Sequence, residues 1–232
     1  MRQLPLGVQL PDRALFASFL PGHNAEALAH LQHVAATGAA GLTWLCGPQG
    51  AGKSHLLQAA CAAAGARGGE AGYLPLRTVA ALGTGVLEGL AQLRLLCLDD
   101  LDCVIGQLPW ERALFALLRE VGDASGSLVV AAEAPPALQP WALPDLGSRC
   151  AAAAVLQLRP LDEGEQEQAL MLRARARGFE LPEETLQWLL RRFPRNMGSL
   201  YELLDTLDQA QLAAQRRLTI PFIREVLGGR GR

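Results

Sequence analysis

The chain has 232 residues, 50% hydrophobic and 19% charged, with a formal net charge of -2. A disordered chain would be poor in apolar residues and strongly charged, and a collagen would show a G-X-Y period; neither description fits. Residues 1–158 carry 9 basic and 12 acidic side chains and residues 159–232 carry 12 and 11, so neither part has a general electrostatic pull toward nucleic acid.

Along the chain, residues 1–21 contain Pro5, Pro11 and Pro21 without a clear period and read as an extended arm. Short apolar runs then alternate with longer amphipathic ones. Strands are expected at Leu42–Cys46, Gly72–Leu76, Leu93–Asp99, Ser127–Ala132 and Ala153–Leu158. Several are apolar on both faces, as in a parallel sheet covered on both sides. Helices are expected at Lys53–Ala64, Thr78–Leu90 and Pro109–Val121. This βα alternation implies a three-layer α/β domain over residues 22–159. After Arg159-Pro160 no further strand is evident. Asp162–Arg177, Pro182–Phe193, Asn196–Arg217 and Pro221–Leu227 read as helices, with Pro182 and Pro221 suited to first turns and Gly178 and Gly228 to helix stops. Residues 160–232 therefore read as a small helical domain.

The five cysteines (Cys46, Cys61, Cys97, Cys103, Cys150) form no CxxC pair, which favours free thiols in a reducing cytosol over zinc or disulfides. Met1–Leu10 does not read as a signal peptide, and no uncharged apolar run reaches the roughly 20 residues of a membrane helix, so a cytoplasmic protein with no membrane contact is expected. His30 and His33 lie three apart on a helix, where a solvated face is a better reading than a metal pair.

Gly47-Pro48-Gln49-Gly50-Ala51-Gly52-Lys53-Ser54 matches G-x-x-x-x-G-K-[ST] between an expected strand and an expected helix, the context a P-loop requires. Gly47, Gly50 and Gly52 let backbone N–H groups converge on phosphate oxygens. The helix start adds the positive end of its dipole. Lys53 places a compact charge at the outer phosphates, and Ser54 can ligate Mg²⁺. Lys53 is also the one lysine in the chain, where all other basic residues are arginine. A point charge suits this loop better than a planar fork. Leu95-Leu96-Cys97-Leu98-Asp99-Asp100 is an apolar strand ending in two carboxylates, as a second nucleotide motif needs, with Asp99 near Mg²⁺. Asp100 stands where a water-activating Glu is usual and is one methylene shorter, which predicts slow intrinsic hydrolysis.

With these motifs the chain resembles AAA+ proteins, and more narrowly the Hda family of DnaA-related regulators. The resemblance covers nearly the whole chain. It is carried by Gln3-Leu4-Pro5-Leu6, by Phe16–Asn24, by Gly50–Leu57 and by Leu98-Asp99-Asp100. It continues in Leu143–Arg149, Leu172–Pro182 and Ala214–Phe222. It implies an AAA+ domain with a five-stranded parallel sheet, then a helical lid. ADP or ATP with Mg²⁺ would be the ligand. Gln3, Leu4 and Leu6 match a motif docking on the DNA polymerase III sliding clamp (beta subunit), Arg149 matches an arginine finger acting in trans, and Glu133 loosely matches a first nucleotide sensor. His23 and Asn24 fall near the implied adenine pocket. Gly198 stands where the second sensor arginine is usual, with Arg195 close to one turn earlier as a substitute.

The implied function is negative regulation of replication initiation. With the DNA-loaded clamp, the protein would stimulate hydrolysis of DnaA-bound ATP and so inactivate DnaA. Its partners would be DnaA, the clamp and, through the clamp, DNA; self-association into a homo-oligomer stays open. Two other readings compete: a DnaA-like or helicase-loader ATPase acting directly on DNA, and a non-catalytic adaptor stabilised by nucleotide.

Overall fold

The computed structural model describes residues 14–193 and 197–228. The described residues divide into two compact units. One comprises residues to Phe16 together with His23–Pro160; the other comprises Ala17–Gly22 and the chain from Leu161.

In the first unit the elements run α1 (Ala25–Thr37), β1 (Gly41–Cys46), α2 (Lys53–Ala66), β2 (Ala71–Pro75), α3 (Leu76–Val79), β3 (Leu95–Asp99), α4 (Leu108–Asp123), β4 (Ser127–Ala132), α5 (Pro144–Ala151) and β5 (Ala154–Gln157). The five strands form one parallel sheet in the order β2-β3-β4-β1-β5. Burial follows position. Every residue of β3 and of central β4 is buried, whereas β5, at an edge, is mostly exposed. This accounts for the two-sided apolar runs in the sequence. Trp44 of β1 is fully buried, packs edge-to-face on Trp141 with ring centroids 5.9 Å apart, and donates its indole N–H to the Ala134 carbonyl. Burying such a ring requires a partner for that N–H.

The strands lie within two residues of their expected bounds, and Leu76 starts α3 instead of ending a strand. The helix expected over Thr78–Leu90 does not form. After α3 the chain makes short 3₁₀ turns at Ala80–Leu82, Thr84–Leu87 and Leu90–Gln92. Gly83 and Gly89 take φ values of +85° and +76°. These positive-φ residues, one after the first turn and one before the third, break the segment so that no continuous helix propagates. Leu76 and Leu87 still reach the core, so the apolar spacing there reflects burial without a continuous helix.

In the second unit the helices are α6 (Glu163–Ala176), α7 (Glu183–Arg192), α8 (Met197–Ala214) and α9 (Ile220–Gly228). Asp162 caps α6 and, with Glu165, closes a reciprocal capping box. The core joins Leu170, Leu186, Leu189, Leu200, Leu204 and Ile223, with Leu20 packed against it. Arg173 of α6 and Arg177 at its C-cap, largely buried, reach Asp205 of α8. Arg177 also approaches Asp208, and Arg173 stacks on Tyr201 at 4.2 Å. Buried guanidinium groups need such partners to offset desolvation.

All five cysteines are free, four of them buried. Burial, and secondarily the Glu111 charge, pushes the Cys150 thiol up to about 12; burial pushes the Tyr201 phenol to about 12, against the opposing Arg173 charge. Both groups are raised in the folded protein. Their stabilising contribution is therefore complete below their ordinary values near 9 and 10 and is lost as pH rises through about 12. The unfolding temperature should hold steady up to pH 8.5 and fall between pH 9 and 12. Cys150→Ala should make that fall shallower; an identical slope in the variant would contradict this assignment.

Candidate functional site: the P-loop and the strand ends around it

The loop Gly47–Gly52 leaves β1 at the carboxyl end of the sheet. Its first residue must be glycine. A Cβ there would lie 2.6 Å from the Leu158 carbonyl oxygen, with φ at +152°. The close approach is held by two bonds: Gly47 donates its N–H to the Glu133 carbonyl at 3.1 Å, and Leu158 donates to the Cys46 carbonyl at 2.7 Å. The loop is thus seated between the ends of β4 and β5. Gly52, the N-cap of α2, has φ +98° and offers no side-chain cap. No side chain of the cap therefore consumes the first-turn N–H groups, which a helix leaves without internal partners. Lys53, almost fully buried, donates to the Gly47 and Pro48 carbonyls at 2.6 and 3.1 Å. Ser54 follows it in the first turn and is exposed. An ammonium with a donor to spare, uncapped N–H groups and a hydroxyl make a donor set that fits the outer phosphates of a nucleotide and its Mg²⁺.

Asp99 ends β3 and is 2% exposed. The backbone N–H of Asp100 donates to its Oδ1 at 3.0 Å, and the Tyr73 hydroxyl donates to its Oδ2 at 2.7 Å. Asp100 adopts left-handed backbone, φ +56°, and its carboxylate takes both Nε and an Nη of Arg77 at 3.2 Å. Both oxygens of the Asp100 carboxylate are thus occupied by Arg77, which adds to its short reach. Among the described residues no cluster of three or more His, Cys, Asp and Glu side chains could enclose a metal. Nucleotide-borne Mg²⁺ needs only one or two protein ligands besides phosphate oxygens and water, a demand that Ser54 and Asp99 meet in kind.

Arg149 lies in the last turn of α5 and is exposed. Its guanidinium stacks 4.7 Å from the centroid of the Phe115 ring on α4 and has no carboxylate partner among the described residues. One turn earlier on α4, Glu111 is completely buried. Its carboxylate accepts from the backbone N–H groups of Gly106, Ala142 and Leu143, and Leu143 is the N-cap of α5. One helix therefore fixes both the start of α5 and the arginine near its end.

The other expected site residues are distributed as follows. The Glu133 side chain is exposed, while its backbone carbonyl accepts from Gly47 and its N–H donates to Asp102 at 2.8 Å. Asn24 is buried and exchanges two hydrogen bonds with the Arg159 backbone, tying α1 to the end of β5. His30 bonds Thr43 at 2.9 Å, joining α1 to β1. Gln3, Leu4, Leu6 and Arg195 lie outside the described residues. Tyr73, Asp102, Glu111 and Phe115 have no motif that marks them. A lone Glu two places after Leu108-Pro109 on an apolar helix face was the one signal available for Glu111.

A parallel sheet in this order, with a P-loop after β1 and an acid pair after β3, defines the AAA+ class of P-loop proteins. Residues 162–227 match the family model described as "Hda, lid domain". Among solved structures, the chain is similar to domain III of the replication initiation protein DnaA from Thermotoga maritima, with a TM-score of 0.74 and 21% identity over 94% of this chain and 97% of that one. It is also similar to AMPPCP-bound DnaA from Aquifex aeolicus (TM-score 0.67, 19% identity, 88% of this chain and 67% of that one). The Holliday junction branch migration motor RuvB of Thermotoga maritima matches with a TM-score of 0.61 and 15% identity over 91% and 69%. At these identities the likeness establishes the shared fold. No described helix is long and apolar enough to cross a membrane.

Glu111→Ala should destabilise the protein by about 3–5 kcal/mol, because three part-buried N–H groups lose a charged acceptor together. Urea unfolding measures this; a loss below about 1 kcal/mol would show that water replaces the carboxylate.

Proposed function

We propose that the protein is a negative regulator of replication initiation. Docked on the DNA-loaded sliding clamp through Gln3, Leu4 and Leu6, it presents Arg149 to the ATP bound by DnaA and promotes its hydrolysis to ADP. The observation that carries this reading is Arg149 itself, exposed, free of a carboxylate among the described residues, and braced on Phe115 in a chain whose residues 162–227 match the Hda lid-domain model. An arginine kept out of ion pairs retains its charge for a partner's phosphate, where such a residue is worth about 10³–10⁵ in rate. A net charge of -2 suits a protein that reaches DNA through another protein.

The chain's own loop binds ADP or ATP through Gly47, Gly50, Gly52 and Lys53, as the AMPPCP-bound DnaA of similar fold suggests. Ser54 and Asp99 would hold Mg²⁺, which when bound neutralises phosphate charge. Asp100, short and engaged by Arg77, leaves the site a poor hydrolase, so bound nucleotide serves to order the protein. Arg195, three residues before Gly198, would substitute for the sensor arginine absent there.

The test reconstitutes clamp-loaded DNA, DnaA with labelled ATP, and this protein, and follows ADP formation. Wild type should accelerate hydrolysis; Arg149→Ala should reduce the acceleration at least 100-fold, and deletion of residues 1–7 should remove its dependence on the clamp. Equal stimulation by Arg149→Ala would overturn the reading. Without DnaA, turnover should stay below about 1 s⁻¹, the low end of ordinary enzyme rates. Lys53→Ala should weaken ADP affinity at least tenfold in a direct binding titration.

A further inference from the structure

Asp99 is enclosed at the end of β3, and each of its oxygens has its own donor. One donor is the next peptide N–H, which any residue would supply. The other is the Tyr73 hydroxyl, which only a tyrosine on the neighbouring strand supplies. The register of β2 and β3 sets Tyr73 beside Cys97 and Pro75 beside Asp99. Tyr73 is therefore the diagonal neighbour of Asp99, two residues along, a span that an aromatic side chain bridges.

A carboxylate with one donor on each oxygen has its plane fixed, and each oxygen keeps a second lone pair. We infer that Tyr73 is a positioning residue for magnesium: it holds the Asp99 carboxylate in the orientation that receives the Mg²⁺ of a bound nucleotide and its water. This rests on the reading of the P-loop as a nucleotide site. Groups that orient a ligating carboxylate are typically worth 10–100-fold in metal affinity. Phosphate contacts made by the loop N–H groups and Lys53 do not pass through Asp99, so the role of Tyr73 is confined to the metal-dependent part of binding.

The experiment measures binding of a fluorescent ADP to the full chain, in EDTA and across a magnesium titration. For Tyr73→Phe, which keeps the buried ring, the affinity in EDTA should match wild type, and the magnesium concentration for half-maximal effect should rise at least tenfold. In an Asp99→Asn background, Tyr73→Phe should add nothing, because the group it orients is gone. Unchanged magnesium dependence would overturn the inference. So would an equal loss with and without magnesium, or additive losses in the double variant, which would mark Tyr73 as a purely structural support. If wild type binds no nucleotide in either condition, the nucleotide-site reading itself falls, and this inference with it.

Discussion

The hydrogen bond from Gly47 to the Glu133 carbonyl, with the Leu158 carbonyl oxygen in the space a side chain would need, is the constraint on which the site depends. It stitches the exit of β1 to the ends of both flanking strands. The loop after it can only turn away over the carboxyl edge of the sheet and enter α2. That places Lys53 and the uncapped helix start above the same edge from which β3 delivers Asp99. In an open parallel sheet this edge is where ligands collect, because helix N-termini and strand ends meet there.

The same edge shows a division of labour between two carboxylates one residue apart. Asp99 remains in line with β3, buried and held by Tyr73 and a peptide N–H. Asp100 turns into left-handed backbone and pairs with Arg77. The turn explains how adjacent acids avoid facing each other, which would raise the cost of ionising both. It also leaves the pair in unequal surroundings, with Asp99 buried under one donor on each oxygen and Asp100 paired with Arg77.

A parallel logic links α4 and α5. Glu111 is a charge removed from water, which is tolerable because three N–H groups satisfy it. Its effect is to weld the start of α5 to α4, while Phe115 on the same helix supports Arg149. The proposed role of Arg149 at another molecule's phosphate would benefit from ordering before contact, since ordering a long side chain on contact costs entropy. Stacking on an aromatic face orders it without neutralising its charge, as an ion pair would.

Much of this was legible in the residues. The two-sided apolar strands, the P-loop and the acid pair identify a nucleotide-type α/β domain, because those signals are local: burial on both faces, backbone freedom at glycine and a helix start are properties of adjacent residues. The Leu172–Pro182 string, which carries much of the family likeness, includes Arg173 and Arg177, whose buried pairs with α8 build the lid's interior. The apolar spacing over Thr78–Leu90 misled, because short turns broken at Gly83 and Gly89 bury Leu87 without a continuous helix. What local signals cannot encode is partnership across strands and helices. The diagonal reach of Tyr73 to Asp99 depends on the register of β2 against β3, and the three N–H groups gathered by Glu111 come from segments up to 32 residues away. Sequence by itself determined the lone lysine, its loop and the class of chemistry they suit. Only the tertiary structure decided which neighbours hold Asp99, Asp100 and Arg149 in place, because those contacts exist only once the sheet has brought distant residues together.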